Sequence, residues 1–206
     1  MEIKVCGIRN MSNLNELAQS DIDYIGFIFY ERSKRYFLAG DIDESTMKAL
    51  GKKKVGVFVN EKVQKIKRLA EQFDLDVLQL HGEESVKECE ELKAAGYQVW
   101  KAFPVLDTLP DIQGYEQAVD AYLFDTKGKE HGGNGVQFDW SALSEYEKEL
   151  PFVLSGGIGP NDVSKVKGFH HKALQVLDIN SRFEVEPGLK DVSAIKTFIS
   201  ELKNQD

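Results

Sequence analysis

Two reactive side chains lie at or near the ends of apolar segments of the sequence. Cys6 lies near the end of the first segment, where a thiol can act as a nucleophile or a base if its pKa is lowered. The alternative is a small apolar filler, which is the usual state of a free cysteine. Asp125 closes the sixth segment, directly after Leu123 and Phe124. A carboxylate there is costly unless it is paired or faces an opening, which favours a functional role over a cap or turn.

His81 closes the fourth apolar segment and is a third candidate. It lies two residues after Gln79, so both side chains point to the same face if the segment is a strand. His81 could carry a proton, bind a ligand or be a hydrogen-bonded structural histidine, which is the commoner case. We keep it as a candidate for substrate binding.

A cluster of cations follows the second apolar segment. Arg32, Lys34 and Arg35 bring three positive charges into four residues, a pattern that fits a carboxylate or a phosphate. The chain as a whole is acidic, with a formal net charge of -8, so positive groups that meet an anion have to be concentrated locally. A solvated basic loop is an equally good interpretation of the composition alone.

Turns after the seventh and eighth segments are candidates for phosphate binding. Gly156 and Gly157 precede Pro160, which suits the start of a helix, and the backbone N–H groups there can bind an anion. The eighth segment is followed by three polar residues, Asn180, Ser181 and Arg182. Barrel proteins often bind phosphate with the loops after strands seven and eight. A further glycine-rich segment, residues 127–135, suggests a mobile flap or a surface loop.

These candidates stand at or just beyond the ends of eight short apolar segments, which are typical of buried parallel strands. The segments are Ile3–Ile8, Tyr24–Phe29, Val55–Val59, Val77–Leu80, Val99–Phe103, Ala121–Phe124, Phe152–Leu154 and Ala173–Ile179. Their centres are 22 to 30 residues apart, and amphipathic stretches between them predict helices, the first capped by Ser12. Eight alternations of strand and helix predict a closed (β/α)8 TIM barrel, with chemistry at the C-terminal strand ends.

Length and composition fit one globular domain over residues 1–206. The sequence is 42% hydrophobic and 29% charged, without a low-complexity segment or a visible domain boundary. An acidic protein is a poor partner for nucleic acid or for an anionic membrane. We expect no targeting segment, and no apolar stretch approaches the roughly 20 residues that span a bilayer. The two cysteines are far apart and fit no metal-ligand spacing, so we expect a cytoplasmic location.

Nearly from end to end, the sequence resembles the phosphoribosylanthranilate isomerase family. In the first half of the chain the resemblance rests on Lys4–Ile8, Gly26–Phe29, Ser33–Tyr36, Val55–Asn60 and Leu78–Gly82. It continues through Phe124–Thr126, Gly132–Gly135 and Phe138–Trp140. No single motif would be specific, but the set is highly specific.

The resemblance implies an Amadori rearrangement in tryptophan biosynthesis. The substrate would be N-(5-phosphoribosyl)anthranilate and the product 1-(2-carboxyphenylamino)-1-deoxyribulose 5-phosphate. Asp125 matches the general acid, which protonates the ribose ring oxygen so that the ring opens to an iminium. Cys6 matches the general base, which takes the C2 proton, and Arg35 matches the residue that binds the anthranilate carboxylate. Since the iminium is its own electron sink, no metal and no organic cofactor is implied.

The phosphate-binding turns match the family less completely. Backbone groups in the turns that correspond to Gly156-Gly157 and Asn180-Ser181 hold the phosphate in the family. Family members commonly have a Ser-Gly pair followed by Val in the eighth turn, where this chain has Ser181-Arg182-Phe183. Arg182 either points away from the phosphate or adds a charge contact to it.

Two other functions stay open at this point. One is that of a related isomerase of histidine biosynthesis, which is also a phosphate-binding barrel. That enzyme resembles this chain but has Asp as the base on strand one, so Cys6 argues against it. A barrel that binds a phosphorylated ligand without turnover would have no need to keep Cys6, Asp125 and Arg35. In each case the partner is a small phosphorylated molecule, and the sequence leaves both a monomer and a homodimer open.

Overall fold

Eight parallel strands follow one another around a closed sheet in the computed structural model, which describes residues 1–126 and 137–204. The strands are β1 (Glu2–Cys6), β2 (Tyr24–Ile28), β3 (Lys53–Phe58), β4 (Val77–Leu80), β5 (Gln98–Val105), β6 (Ala121–Thr126), β7 (Phe152–Leu154) and β8 (Leu174–Ile179). Each strand pairs with the next, and β8 pairs with β1. The predicted (β/α)8 TIM barrel is therefore confirmed, while the expected flap at 127–135 lies outside the described residues.

In the described part of the chain, six α-helices surround the strands. They are α1 (Met11–Ala18), α2 (Glu44–Ala49), α3 (Val63–Phe73), α4 (Val86–Ala94), α5 (Val163–Gly168) and α6 (Val192–Lys203). A small antiparallel hairpin, β9 (Glu184–Glu186) and β10 (Leu189–Lys190), follows β8. None of these helices has the length and apolar character that crossing a lipid bilayer requires.

The alternation of strand and helix is less regular than the sequence predicts. Between β5 and β6, residues 106–120 form turns and no helix. Pro110 lacks a backbone donor and Gly114 has a φ of +83°, so neither suits a helix interior. Buried Ile112 and Val119 hold this segment against the barrel instead. After β6, a 3-10 helix at Trp140–Glu145 takes the place of the expected α-helix.

The cap of α1 is also different from the prediction. Asn10, rather than Ser12, accepts a hydrogen bond from the backbone N–H of Asn13 at 3.2 Å. Asn and Ser are comparable caps, so residue type alone does not choose between them. Asp41 accepts the backbone N–H of Met11 at 2.7 Å, a contact from 30 residues away that supports the earlier start.

The interior of the barrel changes from apolar to polar towards the C-terminal ends of the strands. Its apolar part consists of Tyr24, Val55, Val77, Trp100, Ala102, Ala121, Leu123, Val153 and Val176. Side chains alternate along a strand, so the next inward position lies two residues further on. On β4 that position is Gln79, and on β6 it is Asp125. The apolar layer thus supports a polar layer that faces the opening of the barrel.

The N-terminus of α4 supplies a test of the helix contribution to stability. The Ser85 hydroxyl and the Glu88 carboxylate form a reciprocal capping box at this end. We expect Ser85→Ala to lower the free energy of unfolding by about 1 kcal/mol, the usual value of such a cap. Urea denaturation measures it, with Ser200→Ala on the exposed face of α6 as control, expected within about 0.5 kcal/mol of the parent. Equal losses in both variants would contradict the prediction.

Candidate active site

A pocket opens inside the C-terminal end of the barrel, and most of the candidate residues meet there. Its lining among the described residues is Cys6, Ile28, Tyr30, Ser33, Arg35, Val57, Val59, Gln79, His81, Asp125, Thr126, Ser155, Gly156, Gly157, Ile158, Asp178, Asn180 and Ser181. The lining does not include Arg182, nor Arg32 and Lys34 of the cationic cluster. The pocket therefore joins side chains from β1, β2, β3, β4, β6 and β8 with the segments that follow β2, β3, β4, β7 and β8.

Cys6 and Lys4 point into the barrel from β1, and both are buried. Gly26 on β2 pairs with Cys6. A Cβ at Gly26 would stand 2.8 Å from Sγ of Cys6 and 3.1 Å from Cε of Lys4. The glycine thus provides the space that these two side chains fill, and the inward direction of Lys4 expected from alternation is observed.

Burial dominates the acidity of the Cys6 thiol. It raises the pKa of Cys6 above its ordinary value, although the positive charges of Lys4 and Lys190 act in the opposite direction. The sequence analysis made a role as base depend on a lowered pKa of Cys6. The pKa of Cys6 is raised instead, because the thiol loses its hydration inside the barrel. Burial also favours the neutral amine of Lys4, but Asp178 and Cys6 together raise the pKa of Lys4. Lys4 is accordingly a cation at neutral pH.

Two acceptors hold the ammonium group of Lys4. Its Nζ donates to Oδ2 of Asp178 at 2.6 Å and to Oε1 of Gln79 at 2.8 Å. The other oxygen of Asp178, Oδ1, is buried and has no hydrogen-bond partner within the described residues. Asp178 is also one of the residues that line the pocket.

Asp125 and His81 form a second polar group in the pocket. Oδ1 of Asp125 accepts the backbone N–H of Thr126 at 2.8 Å, and Oδ2 lies 3.2 Å from Nε2 of His81. The other ring nitrogen of His81, Nδ1, lies 2.9 Å from Nε2 of Gln79. His81 therefore lies beside the candidate acid, and Gln79 connects this group to Lys4.

Arg35 is the member of the cationic cluster that reaches the pocket. Its Nε and Nη2 contact the Glu184 carboxylate at 2.8 and 2.6 Å, and Lys190 contacts the same carboxylate at 2.7 Å. Burial opposes the ionisation of Glu184, but Arg35 and Lys190 hold the pKa of this carboxyl below its usual range. Burial lowers the pKa of Lys190 to about 8, although Glu184 opposes this shift. Arg35 is thereby held in place by a carboxylate that two cations share.

The turn after β7 brings backbone close to the end of β6. Gly156 and Gly157 have φ values of +96° and +67°, which side-chain-bearing residues rarely adopt. A Cβ at Gly156 would stand only 2.3 Å from Oγ1 of Thr126. The chain then enters a 3-10 turn at Pro160, so the sequence expectation of glycines leading into a helical start holds.

The turn after β8 separates Arg182 from its neighbours. Asn180 and Ser181 line the pocket, and Oδ1 of Asn180 accepts a hydrogen bond from Lys190 at 2.6 Å. Arg182 is exposed, and its Cβ stands 3.3 Å from where a Cβ of Gly159 would be. Its aliphatic stem thus packs against the turn at Gly159.

The sequence interpretation missed three residues that organise the pocket, Asp178, Glu184 and Lys190. Glu184 contacts Arg35 from 149 residues away, and no local pattern connects the two. Lys190 offered a weak signal, because it is a cation only eight residues after the polar turn that ends at Arg182. Among the described residues, no group of three or more His, Cys, Asp or Glu side chains is arranged to hold a metal ion.

Comparisons with known proteins agree with this architecture. The family model described as N-(5'phosphoribosyl)anthranilate (PRA) isomerase matches residues 3–201. The N-(5'-phosphoribosyl)anthranilate isomerase of Parabacteroides distasonis is 44% identical, with 98% of this chain and 93% of that protein covered. The resemblance noted in the sequence is therefore confirmed.

Solved structures are similar over the same length. The phosphoribosyl anthranilate isomerase of Thermus thermophilus has a TM-score of 0.80 and 27% identity, and 98% of each chain is covered. Another phosphoribosyl anthranilate isomerase was solved with reduced 1-(o-carboxyphenylamino)-1-deoxyribulose 5-phosphate, and it has a TM-score of 0.76, 32% identity and the same coverage. The chain belongs to the N-(5'-phosphoribosyl)anthranilate isomerase family.

Proposed function

We propose that this chain rearranges N-(5-phosphoribosyl)anthranilate to 1-(2-carboxyphenylamino)-1-deoxyribulose 5-phosphate, with Asp125 as acid and Cys6 as base. Its family makes the chain an isomerase of tryptophan biosynthesis. The observation that supports the two roles is a single pocket in which a thiol on β1 and a carboxylate on β6 face the same space. The substrate is fluorescent, so its loss on addition of the pure protein is the direct test.

The first step opens the ribose ring. Asp125 gives its proton to the ring oxygen, the bond from that oxygen to C1 breaks, and the anthranilate nitrogen supplies the electrons of the new iminium. The Asp125 carboxylate that remains keeps the hydrogen bond from the N–H of Thr126 and the contact with His81. Stabilising the charge that develops on the acid lowers the barrier of this step.

The second step removes the C2 proton. Cys6 as thiolate takes this proton, the electrons of the C2–H bond form a double bond between C1 and C2, and the iminium nitrogen becomes neutral. The resulting enolamine tautomerises to the ketone. Burial raises the pKa of the Cys6 thiol, so the thiolate needs compensating charge. The buried Lys4 cation supplies part of it, and the substrate iminium supplies more at the moment when the base is used.

Three groups would hold the substrate at its ends. Arg35, fixed by Glu184, pairs with the anthranilate carboxylate. Backbone N–H groups of Gly156-Gly157 and Asn180-Ser181 hold the phosphate, as glycine-rich turns in barrels commonly do. This arrangement does not use the exposed Arg182 side chain. We also propose that residues 1–206 act as one domain in the cytoplasm, as a monomer or a homodimer.

The base is tested by Cys6→Ser. We expect this variant to fold normally and to lose several powers of ten in kcat, because a hydroxyl is a far poorer base at neutral pH. The matched control is Cys89→Ser, since Cys89 is buried in α4 and burial raises its pKa to about 12. That control should keep the parent kcat. Near-normal turnover of Cys6→Ser would contradict the assignment of Cys6 as the base.

The acid is tested by Asp125→Asn, which keeps the shape of the side chain but can neither give a proton nor carry negative charge. We expect kcat to fall by roughly 10²-fold or more, the scale of a positioned acid. Affinity for reduced 1-(o-carboxyphenylamino)-1-deoxyribulose 5-phosphate, measured by calorimetry, should stay close to that of the parent. If affinity falls in step with turnover, Asp125 is a binding or structural residue and His81 becomes the first candidate acid.

The carboxylate contact is tested by Arg35→Ala. We expect weaker binding of the reduced product analogue, by about 10-fold to 10²-fold for a partly buried charged contact worth 1.5–3 kcal/mol. Arg32→Ala is the control, since Arg32 belongs to the same cationic cluster but is exposed and outside the pocket. An analogue that lacks the carboxylate should bind both variants equally. Equal loss of affinity for the two analogues would mean that Arg35 acts elsewhere.

A further inference from the structure

We propose that Gln79 is a positioning residue that keeps the proton of neutral His81 on Nε2, so that His81 donates a hydrogen bond to Asp125. A row of side chains crosses the barrel from Lys4 through Gln79 and His81 to Asp125. The successive contacts are 2.8, 2.9 and 3.2 Å long. Lys4 and Gln79 are 0% and 1% exposed, so water does not compete for their hydrogen bonds.

The orientation of the Gln79 amide follows from the chemistry of Lys4. An ammonium group has three donors and no acceptor, so the amide atom 2.8 Å from Nζ has to be the oxygen. The reverse orientation would set an NH2 group against the ammonium inside the barrel. Asp178 holds Nζ from its other side at 2.6 Å, so Lys4 cannot easily turn away. The NH2 group of Gln79 therefore faces His81.

The proton of His81 follows from the orientation of Gln79. The amide nitrogen of Gln79 can only donate, so Nδ1 of His81 at 2.9 Å has to accept and carries no proton. In the neutral ring the proton is then on Nε2, which lies 3.2 Å from Oδ2 of Asp125. An imidazolium would set its Nδ1–H against the N–H of Gln79. The network thus selects one tautomer of His81.

This tautomer completes the surroundings of Asp125. Its Oδ1 already accepts the backbone N–H of Thr126, and the Nε2–H of His81 supplies a donor to Oδ2. Once Asp125 has given up its proton, each oxygen of the carboxylate has a donor. This catalytic consequence rests on the acid role proposed above for Asp125, whereas the tautomer itself does not.

Nitrogen NMR tests the tautomer without any turnover. In 15N-labelled protein at about pH 8, long-range proton–nitrogen spectra separate protonated from unprotonated ring nitrogens. His81 is one of four histidines, and its signals are assigned by their loss in His81→Asn. We expect a protonated Nε2 and an unprotonated Nδ1. The Nδ1–H tautomer, an equal mixture or an imidazolium would overturn the proposal.

Gln79→Glu tests the role of Gln79. Glutamate keeps an acceptor for Lys4 but presents a second acceptor to His81, so Nδ1 of His81 should become protonated. We expect kcat to fall on the order of 10-fold to 10²-fold, as when the partner that orients a functional histidine is removed, with KM nearly unchanged. Gln98→Glu makes the same charge change at the exposed start of β5 and should alter neither measurement.

Two outcomes separate this proposal from the proposed function. If the wild-type protein has no isomerase turnover but His81 carries its proton on Nε2, the proposed function fails and the tautomer stands. If turnover is normal but His81 keeps the same protonated nitrogen in Gln79→Glu, Gln79 does not position the proton. Should Gln79→Glu fail to fold, Gln79→Met removes the donor, and a mixture of His81 tautomers is then expected. An unchanged His81 spectrum in Gln79→Met would overturn the proposal equally.

Discussion

The buried ion pair between Lys4 and Asp178 is the interaction on which the site depends. It joins β1 to β8, the first and last strands of the barrel, over 2.6 Å, with 0% and 5% of the two side chains exposed. Breaking such a pair by removing one partner typically costs about 3–5 kcal/mol, because the other charge stays buried and uncompensated. Lys4 can therefore stand inside the barrel only where β8 closes against β1. The same contact therefore joins the first strand to the last and forms part of the polar floor of the pocket.

Alternation along the strands is enough to predict much of this floor. It directs Lys4 and Cys6 inward together from β1, and it places Gln79 on β4 on the same side as His81, the residue that follows the strand. The C-terminal ends of parallel strands meet on one side of a barrel, which explains why most candidates share a pocket. Alternation does not predict which side chains of different strands contact each other. Lys4 and Gln79 are 75 residues apart, and the pairing of their side chains depends on strand tilt and register, which no local pattern contains.

The end of the pocket around Arg35 was harder to predict for the same reason. Arg32, Lys34 and Arg35 are equivalent as a cationic cluster in the sequence, and only the resemblance to a family distinguished Arg35. In the structure the distinction comes from Glu184, in a hairpin whose position follows from the whole barrel. The turns at 106–120 were missed because Pro110 and Gly114 act through backbone geometry, which the periodicity of hydrophobic residues does not show. The cap of α1 was missed because the contact with Asp41 comes from a distant part of the sequence.

The two buried ionic groups give the pocket different charges at different places. Lys4 and Asp178 form a pair that carries no net charge while Asp178 is ionised. Burial raises the pKa of Asp178, and the Lys4 cation opposes this shift. Arg35 and Lys190 share the single carboxylate of Glu184, which leaves one positive charge while Lys190 is protonated. An acidic protein can in this way offer a positive site to an anion without a basic surface, because the surplus cation is held where water screens it little. The positive end lies beside Arg35, where the substrate carboxylate is proposed to bind, whereas at the floor the Lys4 cation opposes the effect of burial on the pKa of the Cys6 thiol.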